Sequence, residues 1–403
     1  MLRACPNLHR PVWIGNQGST DRDKIKVSTL QHFQISRNIG HPINLKGLHM
    51  PNTAALNNYR LLGRSGLRVS PLSLGTMTFG TEWGWGADTS EAQRIFDIYI
   101  ERGGNFVDTS VNYTGGSSER LLGTYIKEKR DRVVVATKFT MAREPGNPNS
   151  GGNHRLNIIR SVEASLRQLD TDWIDLLYLH GWDYTTAPDE VMRGLDDLVS
   201  SGKVVYLGIS NAPAWRAAQM QTIADFRGWA PLVALQVEYS LISRTVEHEQ
   251  IPMAAALGLG VLPWSPLAGG VLAGKYSRAD LSDKSISGSR KEVIMATSNN
   301  LNERALAIAD VVREVAIELN ASPSQVALAW TLQNPAVVSP IIGARTVAQA
   351  EDNLGALAVE FTEDQLSRLN KISAIEPIFP YSFTERPTVQ YFYFGGAQIE
   401  GRR

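Results

Sequence analysis

The sequence predicts an α/β fold in which eight parallel strands, each followed by helical structure, close into a (β/α)8 TIM barrel. From Tyr59 onward, short runs rich in β-branched and aromatic residues alternate with longer amphipathic segments for about 300 residues. The alternative is a doubly wound open sheet, which usually carries a G-x-G-x-x-G dinucleotide motif. No such motif occurs in the chain, and the barrel is therefore favoured.

An N-terminal hairpin is expected to precede the barrel. The stretch "YRLLGRSGLRVS" (59–70) is typical of a hairpin with Gly63 to Gly66 at the turn. The eight barrel strands then follow in a regular order. They are expected at 72–77, 105–110, 133–139, 174–180, 204–210, 232–239, 260–266 and 337–343.

Amphipathic helices are expected between these strands, including 118–128, 157–169 and 189–202. Ser117 or Ser118 is expected to cap the first of them, and Gly202 suits the C′ position of the third. Two extra helices, 303–319 and 322–334, separate strands seven and eight, and the second opens with an N-cap serine followed by proline. A further capped helix at 362–375 follows the last strand.

The chain is expected to fall into three parts, an N-terminal extension, the barrel and a C-terminal tail, at residues 1–58, 59–378 and 379–403. Residues 1–49 carry scattered prolines, glycines and basic residues without a sustained period. Their shortage of acidic residues is typical of mitochondrial transit peptides, but Pro6, Pro11 and Gly15 would break the amphipathic helix that such a peptide needs. A disordered extension, or a start at Met50, is favoured, and with it a cytoplasmic location over a mitochondrial one.

The bulk composition argues against several classes of function. The formal net charge is zero, so no global attraction to nucleic acid or to an anionic membrane is expected. No apolar run approaches the roughly 20 residues that a membrane-spanning helix needs. Cys5 is the only cysteine, which excludes intrachain disulfides and cysteine-based metal sites and favours a reducing compartment. None of the seven histidines form an i, i+4 pair, so no metal is expected.

Functional groups stand at the C-terminal ends of six successive strands, where (β/α)8 barrels bind their ligands. In strand order they are Asp108, Lys138, His180, Ser210 with Asn211, Gln236 and Trp264. Each alone could be a solvated cap or a hydrogen-bonded core residue. Their occurrence at one rim predicts a functional site there.

Four residues near this rim form a chemically coherent set: Asp108, Tyr113, Lys138 and His180. A tyrosine has a reference pKa of about 10, which a nearby ammonium lowers by roughly one to three units. The buried lysine needs a counter-ion, which Asp108 can supply, and a neutral His180 can donate a hydrogen bond to a substrate oxygen. The set predicts a general acid that protonates a carbonyl oxygen. Because no side chain delivers a hydride, a nicotinamide cofactor is implied.

Eight motifs connect these residues to a known family. They are "LSLGTMTFG" (72–80), "NFVDTSVNYTGGSSERLLG" (105–123), "VVVATKF" (133–139), "IDLLYLH" (174–180), "GKVVYLGISN" (202–211), "LQVEYSL" (235–241), "PWSPLAGGVLAGKY" (263–276) and "PIIGARTVAQAEDNL" (340–354). In sequence and order they resemble the aldo-keto reductase superfamily, in the branch of aryl-alcohol-dehydrogenase-like and potassium-channel β-subunit-like proteins. The resemblance covers about residues 59–375. It implies that Asp108, Tyr113, Lys138 and His180 are the catalytic tetrad, with no member substituted.

The resemblance also implies a set of cofactor contacts. Ser210, Asn211 and Gln236 would hydrogen-bond the nicotinamide carboxamide, and Trp264 would stack on the nicotinamide ring. The segment 265–275 would wrap the pyrophosphate, with its glycines letting backbone N–H groups approach the anion. The other implied contacts are Gly75, Thr76, Met77, Asp108, Ser265, Pro266, Leu267, Gly269, Lys275, Arg345, Gln349, Asp352 and Asn353.

Two features bear on which nucleotide binds. Gly269, Gly274 and Lys275 have the spacing of a Walker A motif, but Tyr276 stands where a serine or threonine must bind Mg²⁺. A nucleoside-triphosphatase is therefore rejected. The guanidinium of Arg345 suits a 2′-phosphate by charge and planar geometry, so NADPH/NADP+ is favoured over NADH. The alternative is that Arg345 is a surface charge at a strand end.

The substrate is expected to be an aryl or bulky apolar aldehyde or ketone. Trp83 and Trp85 follow the first strand and Trp182 follows the fourth, so all three can line the mouth of a pocket. The alternative is that these indoles pack the loops themselves.

The leading functional hypothesis is an NADP(H)-dependent oxidoreductase of the alcohol dehydrogenase and carbonyl reductase class. It would reduce the carbonyl to an alcohol with a hydride from the nicotinamide and a proton from Tyr113. An alternative is an NADP(H)-binding, redox-sensing regulatory subunit with little turnover. A barrel metal hydrolase is disfavoured, because His180 is the only histidine at a strand end.

Overall fold

An eight-stranded, wholly parallel sheet forms the centre of the computed structural model, which describes residues 55–282 and 300–397. Its strands follow one another around the sheet in the order β3 to β9, with β10 beside β3. Numbered along the chain, the strands are β1 Arg60–Leu61, β2 Arg68–Val69, β3 Ser73–Gly75, β4 Phe106–Asp108, β5 Val134–Phe139, β6 Ile174–Leu179, β7 Val204–Ser210, β8 Leu232–Glu238, β9 Gly260–Trp264 and β10 Ile341–Gly343.

The sheet closes into a barrel between β9 and the segment before β10. Val261 N–H donates to the carbonyl of Ala336 at 3.0 Å, and Val338 N–H donates to the carbonyl of Val261 at 2.9 Å. Pro340 has no N–H, which explains why β10 is shorter than the predicted strand at 337–343. The predicted (β/α)8 barrel is confirmed.

The predicted N-terminal hairpin is also confirmed, and it covers one end of the barrel. β1 and β2 pair antiparallel, with Arg60 opposite Val69. Leu62 and Val69 pack with Phe106 and other residues of the barrel interior. Of the predicted extension at 1–58, only residues 55–58 fall among the described residues, and Leu56 is buried there against the barrel's outer layer.

Helices surround the barrel. They are α1 Thr89–Glu101, α2 Ser117–Ile126, α3 Arg155–Leu169, α4 Pro188–Ser200, α5 Ala214–Arg227, α6 Gln250–Leu257, α7 Ala279–Ser282, α8 Glu303–Glu318, α9 Pro323–Thr331, α10 Val347–Leu354, α11 Glu363–Ile372, α12 Tyr381–Thr384 and α13 Pro387–Phe394. α8 and α9 are the two predicted extra helices, and Ser322 caps α9 in a reciprocal capping box with Gln325. Gly202 follows α4 with a φ of +75°, as predicted for a C′ residue.

In the predicted tail, α12 and α13 leave Tyr391, Phe392 and Tyr393 exposed.

The prediction that Ser117 or Ser118 caps α2 is wrong. The N-cap is Gly116, which has a φ of +87° and no side chain to offer. The chain enters the helix through a left-handed turn, and Thr114 Oγ1 accepts the hydrogen bond from Ser118 N–H at 3.0 Å instead. The Ser118 hydroxyl is engaged with Thr76, at 2.8 Å from its hydroxyl oxygen.

Strand alternation determines which side chains reach the site. Phe106, Ala136, Tyr178, Ala234 and Leu262 all belong to the barrel's interior cluster. Since side chains two positions apart lie on the same face of a strand, the residues two positions later continue the same inward face at the C-terminal end. Those residues are Asp108, Lys138, His180, Gln236 and Trp264. Among the described residues, no helix is long and apolar enough to cross a membrane.

Candidate active site

A cavity of about 480 Å³ opens at the C-terminal end of the barrel strands. Most of the residues predicted to bind ligands line it: Gly75, Met77, Trp83, Trp85, Asp108, Tyr113, His180, Asn211, Gln236, Trp264, Ser265, Pro266, Leu267, Gly269, Lys275 and Gln349. Other predicted site residues lie outside its lining: Thr76, Lys138, Trp182, Ser210, Arg345, Asp352 and Asn353. The barrel therefore brings three of the four predicted catalytic residues and most of the predicted cofactor contacts to one cavity, with Lys138 behind its wall.

Lys138 and Asp108 form a buried ion pair at the base of this cavity. The ammonium has three protons, and each has an acceptor: the carboxylate of Asp108, the carbonyl of Thr109 at 2.6 Å and the hydroxyl of Tyr113 at 3.3 Å. The second oxygen of Asp108 accepts from Gln236 Nε2 at 2.9 Å. The pair thus joins three strands to the loop that carries Tyr113.

The two charges of this pair shift the pKa of the Tyr113 phenol in opposite directions. Burial raises the pKa of the Tyr113 phenol, the Lys138 ammonium lowers it, and Asp108 raises it, so that the pKa lies above its usual value. The predicted lowering of the Tyr113 pKa by Lys138 is therefore outweighed in the free protein. Burial alone would lower the pKa of Lys138, but Asp108 and Tyr113 raise it above its usual value, so the lysine keeps its charge.

His180 is held by its backbone and stands beside the phenol. Its N–H donates to Thr140 Oγ1 at 3.1 Å, and its carbonyl accepts from Asn211 Nδ2 at 2.9 Å. The imidazole faces Tyr113 edge-on, with 6.0 Å between ring centroids. Burial, aided by the Lys138 charge, lowers the pKa of His180 to about 3. The imidazole is therefore neutral at physiological pH.

Asn211 links three strands where β7 ends. Its φ of +48° is in the left-handed region, which Asn tolerates better than most residues. In that conformation its side chain donates to His180 and accepts from Trp264 Nε1 at 3.0 Å. The indole of Trp264 is thereby fixed at the cavity wall.

Ser210, directly before Asn211, is a buried hydroxyl that lacks a partner. Its side chain is fully buried, and its Oγ forms no hydrogen bond within residues 55–282 and 300–397. An unpaired buried hydroxyl is costly, and native proteins rarely keep one. A polar ligand group is the kind of partner that would satisfy it.

The loop after β9 contributes two glycines and a lysine to the cavity. Gly269 and Gly270 have φ values of +67° and +103°, which residues with a side chain adopt at a cost. Both glycines line the cavity together with Lys275. The Gly270 N–H donates to the carbonyl of Leu267 at 2.9 Å, so the expected approach of successive N–H groups to an anion is not seen. The glycines leave space beside the backbone, and the charge of the lysine suits an anionic ligand.

The residues after β10 form a second polar region. Thr346 caps α10 by accepting from Gln349 N–H at 3.3 Å, and Gln349 Oε1 accepts from Arg345 N–H at 3.0 Å. Asn353 donates to the carbonyl of Gly343 at 3.2 Å, and Asp352 accepts from Gln325 at 3.0 Å. The guanidinium of Arg345 forms no hydrogen bond or ion pair with any residue that the structure describes. Its charge is available to an anion.

The outer part of the cavity is aromatic and apolar. Trp83 packs edge-on against Tyr113, with ring centroids 6.2 Å apart, and tilts against Trp85 at 5.8 Å. Met77 and Met141 complete this wall. Trp182 is not part of it, because the side chain is buried and the guanidinium of Arg216 stacks 4.5 Å above its ring.

Glu119, which the sequence analysis passed over, is a second buried carboxyl group near the ion pair. It accepts from Thr137 Oγ1 at 2.5 Å and from Gln168 Nε2 at 3.0 Å, and it forms no ion pair with a described residue. Burial raises its pKa to about 7, with hydrogen bonds and then the charge of Lys138 acting the other way. An acidic residue in the first turn of a helix is normally solvated and interacts with the helix dipole, so no local signal predicts the burial of Glu119.

No metal site accompanies these groups. Within residues 55–282 and 300–397, no cluster of three or more His, Cys, Asp or Glu side chains is arranged to hold a metal ion.

Known proteins are similar to this chain in sequence. A family model described as the aldo/keto reductase family matches residues 71–374. A norsolorinic acid reductase of Aspergillus flavus is 35% identical over 348 residues, which cover 83% of this chain and 86% of that protein. An aryl-alcohol dehydrogenase [NADP(+)] of Phanerodontia chrysosporium is 33% identical over 82% of this chain and 89% of that protein. An uncharacterised oxidoreductase of Bacillus subtilis is 39% identical over 78% and 95%, respectively.

The fold and these similarities together indicate a (β/α)8 oxidoreductase. The chain belongs to the aldo/keto reductase family, whose enzymes use nicotinamide cofactors. The resemblance found in the sequence motifs is confirmed.

Glu119 gives the stability of the protein a specific pH dependence. Because its pKa in the folded protein, about 7, exceeds the usual value of 4.5, folding opposes its ionisation. Glu119 therefore contributes most to the free energy of unfolding below pH 4.5, where it is protonated in both the folded and the unfolded chain. As the pH rises from 4.5 to above 7, the free energy of unfolding falls by up to about 3 kcal/mol because of this residue. Glu119→Gln removes this decline. Urea unfolding at pH 5 and pH 8 should show the variant gaining stability relative to the wild type at the higher pH.

Exposed Glu128, shortly after the same helix, provides the matched control. Glu128→Gln should leave the difference between the two pH values unchanged. If the free energy of unfolding changes between pH 5 and pH 8 by the same amount in Glu119→Gln as in the wild type, Glu119 does not titrate in this range.

Proposed function

We propose that this protein is an NADP(H)-dependent carbonyl reductase that acts on aryl or bulky apolar aldehydes and ketones. The observation that carries the proposal is one cavity that contains both a proton donor and polar groups suited to a dinucleotide. Tyr113 and His180 line it beside Trp264, Asn211 and the loop that ends at Lys275. Its outer wall is aromatic.

The residues present fit a nicotinamide dinucleotide. The unpartnered hydroxyl of Ser210 matches a carboxamide, which can supply both donors and an acceptor. Gly269 and Gly270 leave room for a pyrophosphate close to the backbone, and Lys275 would neutralise part of its charge. The unpaired guanidinium of Arg345 fits a 2′-phosphate, which NADP(H) carries and NAD(H) lacks.

The proposed contacts follow from these positions. Ser210, Asn211 and Gln236 would hold the nicotinamide carboxamide, with Trp264 against the ring. The loop 265–275 would hold the pyrophosphate, and Arg345 would hold the adenosine half. The remaining proposed cofactor contacts are Gly75, Thr76, Met77, Asp108, Gln349, Asp352 and Asn353. When bound, NADPH supplies the hydride that no side chain can deliver.

Tyr113 would donate the proton to the substrate oxygen. Its raised pKa keeps the phenol protonated at neutral pH, as a donor requires. When the proton leaves, the phenolate forms 3.3 Å from the Lys138 ammonium, which stabilises the new negative charge. Asp108 holds that ammonium in place from the cavity wall, and Lys138 itself lies behind the wall.

His180 would orient the carbonyl oxygen beside the phenol. Its neutral imidazole adds no positive charge next to Lys138, and it can donate one hydrogen bond. Two hydrogen-bond donors converging on one oxygen would fix the carbonyl for proton transfer.

The cavity wall supports the proposed substrate class. Trp83, Trp85, Met77 and Met141 present aromatic and thioether surface around Tyr113. Such a wall favours flat or bulky apolar groups, which gain from burial and ring contacts, over small polar carbonyls.

Tyr113→Phe tests the proposed proton donor. It should reduce the turnover of NADPH with 4-nitrobenzaldehyde, followed at 340 nm, by about 10²-fold to 10⁴-fold, the usual contribution of a general acid. NADPH binding, followed by fluorescence titration, should be unchanged. Tyr59→Phe, at an exposed tyrosine before β1, is the control. Full turnover in Tyr113→Phe would contradict the mechanism, whereas tight NADPH binding with negligible turnover in the wild type would favour a regulatory subunit.

Arg345→Ala tests the choice of coenzyme. Loss of a charge-assisted contact to the 2′-phosphate should raise the Kd for NADPH by about tenfold or more and leave the Kd for NADH nearly unchanged. Arg102→Ala is the matched control, because Arg102 lies 3.9 Å from Glu351 of α10 and stays on the outer surface. Equal weakening of both coenzymes, or of neither, would show that Arg345 does not recognise the 2′-phosphate.

A further inference from the structure

Two polar side chains outside the tetrad contact His180 through a short chain of hydrogen bonds. Ser110 Oγ lies 3.3 Å from His180 Nδ1, and it donates to Asn112 Oδ1 at 2.8 Å. Ser110 is fully buried, and Asn112 lines the cavity next to Tyr113. Ser110 and Asn112 follow the strand that ends at Asp108. β4 and its loop therefore carry both Asp108 and the two residues that contact His180.

The direction of these hydrogen bonds determines where His180 carries its proton. A hydroxyl has a single proton, and Ser110 directs it to Asn112, with the carbonyl of Lys138 as a second acceptor at 3.4 Å. Neither choice leaves a proton for the imidazole. With the carboxamide oxygen of Asn112 facing Ser110, Ser110 Oγ accepts from His180, and the neutral ring is protonated at Nδ1. Nε2, which forms no hydrogen bond with a described residue, is then an acceptor.

We propose that Ser110 and Asn112 are positioning residues that hold His180 and select which of its ring nitrogens carries the proton. The inference rests on the proposed function, in which His180 contacts the substrate oxygen. Ser110 acts through the imidazole, and Asn112 acts through the hydroxyl of Ser110.

A substrate carbonyl oxygen accepts hydrogen bonds, so His180 can bind it only through a protonated Nε2. The complex with substrate therefore requires the Nε2–H tautomer, opposite to that of the free protein. The same three residues provide it when the carboxamide of Asn112 turns by half a revolution and its Nδ2 donates to Ser110 Oγ. Ser110 then donates to Nδ1, and Nε2–H points to the ligand. The number of protons is unchanged, because one leaves Nδ1 for water and one binds Nε2 from water.

Kinetics of Ser110 variants test the positioning role. Ser110→Ala should lower kcat for aldehyde reduction by about tenfold, the effect of one hydrogen bond, while KM and the Kd for NADPH change by less than about threefold. Ser110→Thr keeps the hydroxyl and should restore most of the activity. Ser117→Ala, which removes a hydroxyl bonded to Arg120 in the same segment, is the control. An unchanged kcat in Ser110→Ala overturns the proposal.

Nitrogen NMR reads the tautomer directly and separates positioning from a general structural effect. Long-range ¹H–¹⁵N spectra distinguish Nδ1–H from Nε2–H, and His180→Gln identifies the signal among the seven histidines. The wild type should show Nδ1–H when free and Nε2–H in a dead-end complex with NADP+ and benzaldehyde. Ser110→Ala should show a mixture in both states. Nε2–H in the free wild type, or a single unchanged tautomer in Ser110→Ala, overturns the proposal.

Asn112→Asp tests whether the carboxamide of Asn112 turns when the tautomer of His180 changes. A carboxylate can only accept, so Ser110 would be held in one direction and His180 in the Nδ1–H form, even in the dead-end complex. Its kcat should fall further than that of Asn112→Ala, which frees the hydroxyl. An Nε2–H signal in the Asn112→Asp complex contradicts the reversal. Failure of the proposed function would appear separately, as wild-type protein that does not reduce aldehydes or as Tyr113→Phe that does.

Discussion

The buried ion pair between Lys138 and Asp108 is the interaction on which the rest of the site depends. Two charges in the barrel interior are costly unless every donor and acceptor is satisfied. Here the ammonium uses all three protons, and the second carboxylate oxygen takes a hydrogen bond from Gln236. Because one of the three protons goes to Tyr113, the arrangement that satisfies the pair also fixes the phenol. Stability and the proposed chemistry therefore share one set of contacts.

The strand period of two makes this site predictable from the sequence. Phe106 and Ala136 fill the barrel, and Asp108 and Lys138 follow two positions later on the same face. Recognising the strands therefore identified which titratable residues would meet at the rim, even though the predicted strand ends differed by up to a few residues. The extra helices and the hairpin could also be predicted from the sequence, because capping and turn signals are local.

Features that depend on distant contacts were not accessible from sequence. The cap of α2 comes from Thr114 because the preceding turn is left-handed, which a run of serines did not reveal. Trp182, in the loop after β6, is buried in the hydrophobic core, and Arg216 of α5 stacks on its ring. The pKa of Tyr113 is raised rather than lowered, because burial outweighs the neighbouring ammonium and burial is a property of the whole fold. Glu119 was missed for the same reason.

A double-mutant cycle on the ion pair tests the central claim most directly. The free energy of unfolding in urea, without cofactor, is measured for Lys138→Met, Asp108→Asn and the double variant. Each single variant should lose about 3–5 kcal/mol, because it leaves one buried charge unpaired. The double variant should recover at least about 2 kcal/mol of the summed losses while remaining inactive toward aldehydes. Losses that add to within about 0.5 kcal/mol would contradict a coupled pair at the base of the site.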